Sequence, residues 1–128
     1  ENGLRLAYHN HDFEFMSLGG QVPFDIMLDE TDPALVDFEL DFFWVRSAGQ
    51  DIVQILSKAP DRFTMAHIKD MNEQGDMADV GTGVIDFGDI LGNEAASGLR
   101  HFFVEHDQPS DPFKSAAISR LALASILD

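Results

Sequence analysis

Four times along this 128-residue chain a short apolar run ends in a cluster of polar, chemically active side chains. The runs are Leu4 to His9, Leu35 to Leu40, Phe63 to Ile68 and Leu99 to Glu105. Each is rich in branched and aromatic residues and bounded by turn formers, which predicts a β-strand. Amphipathic stretches fall between them. Pro23 to Glu30 opens on proline and carries Phe24, Met27 and Leu28, a short helix that Thr31-Asp32-Pro33 ends. Gly49 to Ala59 predicts a second helix, with Ile52, Ile55 and Leu56 on one face and Pro60 as its stop. Phe87 to Ala96 predicts a third, interrupted by Gly92. The last has Ser110 or Asp111 as cap, Pro112 in its first turn, and Phe113, Ala116, Ala117, Leu121 and Leu123 to Leu127 as apolar positions.

Three stretches do not fit this alternation. Asn2-Gly3 reads as the stop of a preceding helix, so the chain is expected to open in mid-fold. Phe42-Phe43-Trp44-Val45 forms an aromatic lip just past Asp41. Met71 to Gly83, with Gly75, Asp76, Gly81 and Gly83, predicts a functional loop or mobile lid rather than a tight turn.

Four rounds of strand then helix predict an α/β fold, a single domain over 1–128 with parallel strands and right-handed crossovers. In such sheets functional groups gather at the carboxyl ends of the strands. That is where Tyr8-His9-Asn10-His11-Asp12-Phe13-Glu14-Phe15, Asp41, His67-Ile68-Lys69-Asp70 and Glu105-His106-Asp107 fall. One candidate ligand per cluster, Glu14, Asp41, His67 and Glu105, is spaced by about one strand-helix unit of roughly 30 residues.

Composition narrows the chemistry. A net charge of −15 and a pI near 4.3 exclude a nucleic-acid face and disfavour an anionic membrane surface. Without cysteine there is neither a disulfide framework nor a thiolate zinc site, so any metal must take oxygen and imidazole ligands. No apolar run is long enough for a spanning helix. Glu1-Asn2-Gly3 shows neither an initiator Met nor a signal pattern, so the natural start is expected upstream and the compartment is not legible.

On these residues the chain resembles the xylose isomerase-like TIM-barrel superfamily, in its sugar phosphate isomerase/epimerase branch. The matching stretches are Tyr8 to Phe15, Glu39-Leu40-Asp41-Phe42-Phe43-Trp44, His67-Ile68-Lys69-Asp70-Met71, Gly81-Thr82-Gly83-Val84-Ile85-Asp86-Phe87 and Val104-Glu105-His106-Asp107, in family order. Members look like (β/α)8 barrels of about 250 residues, so the resemblance implies the C-terminal half of a barrel, strands five to eight. It also implies one divalent cation, Mn²⁺, Mg²⁺, Co²⁺ or Zn²⁺, held by Glu14, Asp41, His67 and Glu105, with His9 and His11 as rivals to Glu14. Lys69 and Trp44 fall where relatives contact substrate.

The expected chemistry is enediolate-based isomerisation or epimerisation of a ketose, sugar phosphate or cyclitol, with Glu14, Glu105 and His9 as catalytic candidates. Lyase or dehydratase action on keto-sugars or 3-keto-glycosides would use the same site. His9 and His11 are expected to divide into a base or substrate contact and a structural histidine. Trp44 reads equally as a sugar shelf or core, and Lys69 as an oxyanion partner or an ion pair with Asp70 or a neighbour. Gly81-Thr82-Gly83 reads as a backbone bend rather than a phosphate cradle, and His101 and His106 as structural. A non-catalytic alternative is a half-barrel whose open edge strands pair with another chain. A repair endonuclease of the same superfamily is disfavoured by the acidic charge.

Overall fold

The computed structural model describes residues 3–127. Glu1 and Asn2 lie outside the described residues, and with them the proposed tail of a preceding helix; Gly3 does adopt the left-handed φ of 69° expected at a helix stop. In chain order the regular elements are β1 (Leu6–His9), α1 (Pro23–Glu30), β2 (Val36–Asp41), α2 (Phe42–Ser47) and α3 (Ile52–Lys58). Then follow β3 (Phe63–Ile68), β4 (Asp70–Met71), β5 (Met77–Ala78), α4 (Phe87–Gly92), β6 (His101–Val104) and α5 (Pro112–Leu127). The four longer strands form one parallel sheet in the order β1-β2-β3-β6, and β4 and β5 form a separate antiparallel hairpin. The expected parallel α/β architecture is therefore present.

Alternation along β2 separates core from site. Phe38 and Leu40 are buried in the apolar cluster with Phe24 and Leu28 of α1, Ile55 and Leu56 of α3, and Phe87 and Ile90 of α4. The intervening Asp37, Glu39 and Asp41 point to the opposite face, as the two-residue period of a strand requires. A strand covered by helices on both faces would carry apolar residues throughout.

β3 does not keep that period, and the break decides what meets Asp41. The register runs Phe38↔Phe63 and then Glu39↔Met65, so Thr64 is an extra residue in β3. This bulge lets Phe63 and Ile68, five positions apart, both face the core while His67 faces the site. Without it Asp41 would lie opposite Ala66. With it Asp41 lies opposite His67.

The aromatic lip is a helix. Asp41, the last residue of β2, is also the cap of α2: its Oδ1 accepts the Trp44 backbone N–H at 3.1 Å. Gly49, with φ 71°, closes that helix instead of opening the next one, which starts later than expected behind Asp51, whose Oδ1 accepts from the Gln54 N–H at 2.8 Å. The third helix does break at Gly92, where Asn93 caps a 3-10 turn over Glu94–Ala96.

The glycine-rich segment after β3 is not a loose lid but a strapped hairpin. The buried Asp70 carboxylate accepts backbone N–H groups from Met71, Gly81, Gly83 and Ile85 at 2.8, 2.9, 2.9 and 3.2 Å. The Asn72 side chain similarly accepts from Gln74 and Asp76. The Gly81 and Gly83 amides are thereby used internally, so the turn is a bend rather than an anion cradle.

α5 packs on a different face from the one its apolar residues suggest. Asp111 is its cap, accepting from the Phe113 and Lys114 N–H groups, but the buried stripe is Ser115, Ser119 and Leu123. Phe113 is 90% exposed and Leu121 65%. Small serines permit close approach and supply polar contacts: Ser119 Oγ accepts the Val80 N–H at 3.0 Å, and a Cβ at Gly81 would come within 2.6 Å of Ala122 Cβ. A larger side chain at 115 or 119 could not make these contacts.

Candidate functional site

The carboxyl ends of β1, β2, β3 and β6 meet around Asp41, which is completely buried. Asn10, itself buried, ties the first two ends together: its Oδ1 accepts the Asp41 N–H at 2.9 Å. His9 is the final residue of β1, and its ring lies 4.3 Å from that of His67. One ligand atom each from His9, Asp41 and His67 falls within 4.8 Å of the others. Glu105 joins from just past β6, its Oε2 3.1 Å from His67 Nδ1 and 3.0 Å from Lys69 Nζ. Lys69 is also 3.2 Å from Asp41 Oδ2 and 3.2 Å from Asp107 Oδ1.

The same region holds buried polar atoms that no well-formed hydrogen bond completes: His9 Nδ1, together with Asp41 Oδ2 and His67 Nδ1, whose contacts with Lys69 and Glu105 are ion pairs only. Such atoms are costly unless something outside the protein completes them. Two imidazole nitrogens and a carboxylate oxygen, with Glu105 adjacent, form a donor set that fits a divalent cation of the Zn²⁺ or Mn²⁺ type.

The electrostatics assign distinct states to the groups. Burial, and then the neighbouring His67 ring, push His9 below the usual imidazole pKa, which favours the neutral form that offers a lone pair. For His67 burial again pulls down, but Asp41, Glu39 and Glu105 together outweigh it and raise the pKa. Burial likewise opposes the charge on Lys69, and Asp41, Glu105 and Asp107 more than compensate, so it remains a cation.

Glu14 is not brought into this group. It lies on a 3-10 turn, Phe13–Phe15, and is 3% exposed. Its Oε1 accepts from the Tyr8 hydroxyl at 2.8 Å and its Oε2 from the His11 backbone N–H at 2.9 Å, so both oxygens are engaged outside the cluster of His9, Asp41 and His67. His9 stands where the motif left Glu14 and the histidines as rivals. Burial and the Glu14 hydrogen bond raise the Tyr8 pKa to about 12. Tyr8 is the only tyrosine, so tyrosinate absorbance reports it alone. Its titration is expected near pH 12 in the folded chain and near 10 once unfolded. Folding favours the protonated form, so this contribution is complete below pH 10 and lost as pH rises toward 12. A folded-state midpoint near 10 would contradict the Tyr8–Glu14 contact.

The other expected residues are also placed. His11 stacks near Phe13 and lies 5.2 Å from the Trp44 ring, and Lys69 Nζ sits 5.9 Å from the same ring. Lys69 pairs across the site, while Asp70, the alternative partner, turns to the backbone amides. His101 is exposed. His106 Nδ1 is 2.9 Å from Asp79 Oδ1, a carboxylate that also accepts from Ser115 Oγ and is held below the usual range by Ser115 and His106.

Two participants stand in the quoted motifs but received no role from the sequence reading. Glu39 Oε2 lies 3.3 Å from His67 Nε2, and its place two residues before Asp41 on the same strand face was a usable signal. Asp107, which meets Lys69, lies in a loop whose path no periodicity reports.

No protein-family model matches this chain. Among curated proteins it is 29% identical to an inosose dehydratase of Bacillus anthracis over 144 aligned positions, covering 94% of this chain and 47% of that protein. An inosose dehydratase of Geobacillus thermodenitrificans is 28% identical with the same coverage. Among solved structures, a sugar phosphate isomerase/epimerase from Parabacteroides distasonis superposes with a TM-score of 0.72 at 30% identity, covering 95% of this chain and 45% of that one. A second so described, from the same organism, gives a TM-score of 0.82 at 28% identity, over 98% of this chain and 47% of that one. The chain thus spans about half the length of the curated relatives it matches.

The fold is that of half a TIM barrel, four parallel strand-helix units with their polar residues at one end. Within that class it is the xylose isomerase-like superfamily, in its sugar phosphate isomerase/epimerase branch, that the chain matches, as its motifs indicated.

Proposed function

We propose that this chain carries the metal-binding part of the active site of an enzyme that removes a proton beside the ketone of a sugar or cyclitol. The observation that carries the reading is the convergence of His9, Asp41 and His67 ligand atoms, buried and without well-formed hydrogen bonds, at the ends of three adjacent parallel strands. Asp41, His67 and Glu105 are the proposed ligands, with His9 taking the fourth place and Glu14 orienting Tyr8 and the His11 backbone. When bound, the cation supplies Lewis-acid polarisation of the substrate carbonyl and lowers the pKa of the adjacent C–H.

Glu105 is the proposed base, because it is partly exposed while its oxygen borders the cluster. It takes the proton and leaves an enediolate. Lys69, held as a cation by three carboxylates, is the proposed counter-charge to the oxyanion rather than a second base. Return of the proton from Glu105 to the neighbouring carbon gives an isomer, its transfer to a departing β-hydroxyl gives water and a dehydrated product, and an epimer requires a second acid on the opposite face, from the part of the barrel beyond this chain. The dehydratases and isomerase/epimerases among the similar proteins support both outcomes. His11 and Trp44 are the proposed substrate walls.

The test is removal of divalent cations with EDTA and titration with Mn²⁺ or Mg²⁺, followed by thermal unfolding. Saturation to a hundred times Kd stabilises by about 2.7 kcal/mol, which raises Tm on the order of 10 °C in a domain of this size. No response to Mn²⁺, Mg²⁺, Co²⁺ or Zn²⁺, each titrated in turn, would remove the metal site.

A second reading concerns assembly. Among the described residues β1 and β6 each have one unpaired edge, and Leu4, just before β1, and Leu6, at its start, are 88% and 64% exposed. This supports completion of the barrel by another half, from a longer chain or a second copy. In sedimentation velocity, dimers would support pairing between copies, and a monomer at every concentration would count against it.

A further inference from the structure

Glu39 and Asp41 lie two residues apart on the same face of β2, roughly 6.6 Å along the strand. On β3 the residue opposite Asp41 is His67 and the one opposite Glu39 is Met65, so His67 is a diagonal neighbour of Glu39. The imidazole spans the two acids. Its Nε2 lies 3.3 Å from Glu39 Oε2, and its Nδ1 lies 3.5 Å from Asp41 Oδ2 and 3.1 Å from Glu105 Oε2.

The two ring nitrogens are not equivalent. Nδ1 is buried, no well-formed hydrogen bond completes it, and it borders the oxygens of two other proposed ligands. A cation held by Asp41 and Glu105 would take the place of a proton on Nδ1, so the neutral ring would carry its hydrogen on Nε2. Among the described residues the only carboxylate within ion-pair distance of Nε2 is that of Glu39, and Glu39 has no other ion-pair partner there.

We propose that Glu39 is a positioning residue, which holds the His67 ring with Nε2–H toward its own carboxylate and so presents the Nδ1 lone pair to the cation site beside Asp41 and Glu105. A carboxylate placed behind a ligating histidine fixes the tautomer and the ring orientation, and makes the ligating nitrogen more basic. Asp41 and Glu39 thereby act on opposite ends of one imidazole from a single strand. The inference rests on the metal-site reading for what Nδ1 faces, and on geometry alone for which nitrogen carries the hydrogen.

Zn²⁺ affinity of the full chain is measured by calorimetry, and the tautomer of His67 by long-range proton–nitrogen NMR, its signals identified by their loss in His67→Asn. Spectra are recorded with Zn²⁺ and without metal, the latter at a pH above the titration of His67. Glu39→Ala is expected to weaken Zn²⁺ binding about 10–100-fold and to turn the metal-free Nε2–H ring into a mixture of tautomers. Glu39→Gln, whose amide oxygen still accepts the Nε2 hydrogen without the charge, is expected to keep the tautomer and lose less affinity. Neither variant should move the metal-free Tm much; a role in folding only would lower that Tm and leave affinity and tautomer unmoved. An Nδ1–H ring in the unaltered metal-free chain, or unchanged Zn²⁺ affinity in Glu39→Ala, overturns the proposal. Absence of Zn²⁺ binding by the unaltered chain refutes the metal site instead, and the metal-free tautomer in Glu39→Ala still decides what Glu39 does.

Discussion

Asp41→Asn is expected to weaken divalent-cation binding by at least about a hundredfold, since even groups that only support a ligand cost 10–100-fold when removed. Asparagine keeps the size of the side chain and an oxygen that can accept the Trp44 N–H at the start of α2, so the helix cap survives. What disappears is the negative charge of a fully buried carboxylate whose Oδ2 faces Lys69 and His67 without a well-formed hydrogen bond. Lys69 keeps Glu105 and Asp107, so the substitution does not strand a buried cation. The Mn²⁺-dependent rise in Tm should therefore vanish while the Tm without metal moves little. A variant that retains the full thermal response would show that Asp41 is a structural cap and not a ligand.

Asp70→Ala is expected to be the most destabilising single change, on the order of 3–5 kcal/mol. Its carboxylate is 1% exposed and accepts four backbone N–H groups drawn from both sides of the hairpin. Alanine leaves these donors without an acceptor in a place too crowded for ready hydration. The crowding is visible at Gly83, where a Cβ would fall 2.3 Å from Met71 O and 2.4 Å from Asp70 Oδ1. Asp70→Asn, which retains one oxygen acceptor but not the charge, should cost less. Urea unfolding measures both; a loss below about 1 kcal/mol for the alanine variant would show that water satisfies these amides.

The parts of the site that could be read in advance are those governed by short periods. Asp41 and Glu105 follow apolar runs, so their place at strand ends follows from the strand itself, and Asp41 meets His67 and Lys69 as that placement requires. The Gly92 break and the Asp111 cap were legible for the same reason: their causes lie within a few residues. Glu14 was harder. The chain bends into a 3-10 turn after β1, and the Tyr8 hydroxyl captures a carboxylate that a continuing strand would have sent elsewhere.

Local pattern also misjudged α5. Leu123 is core as its hydrophobicity suggested, whereas Phe113 and Leu121 are exposed, and Ser115 and Ser119 are buried because the neighbouring segment comes too close for anything larger and supplies Asp79 and the Val80 amide as partners. Similarly, the glycines of 75–83 suggested looseness, whereas Asp70 gathers that segment through contacts up to fifteen positions away in sequence.

The amino-acid order alone therefore determined the four sheet strands and most of the helices between them, the lack of thiolate ligands, and the end of the sheet where polar groups collect, because each depends on alternation, caps or composition. Only the tertiary structure decided which of those groups meet. The extra residue at Thr64 shifts β3 by one position and turns His67 toward Asp41, and a strand's side chains change faces with every residue. Such a shift is stabilised by packing across the whole sheet, a balance that no stretch of the chain records by itself.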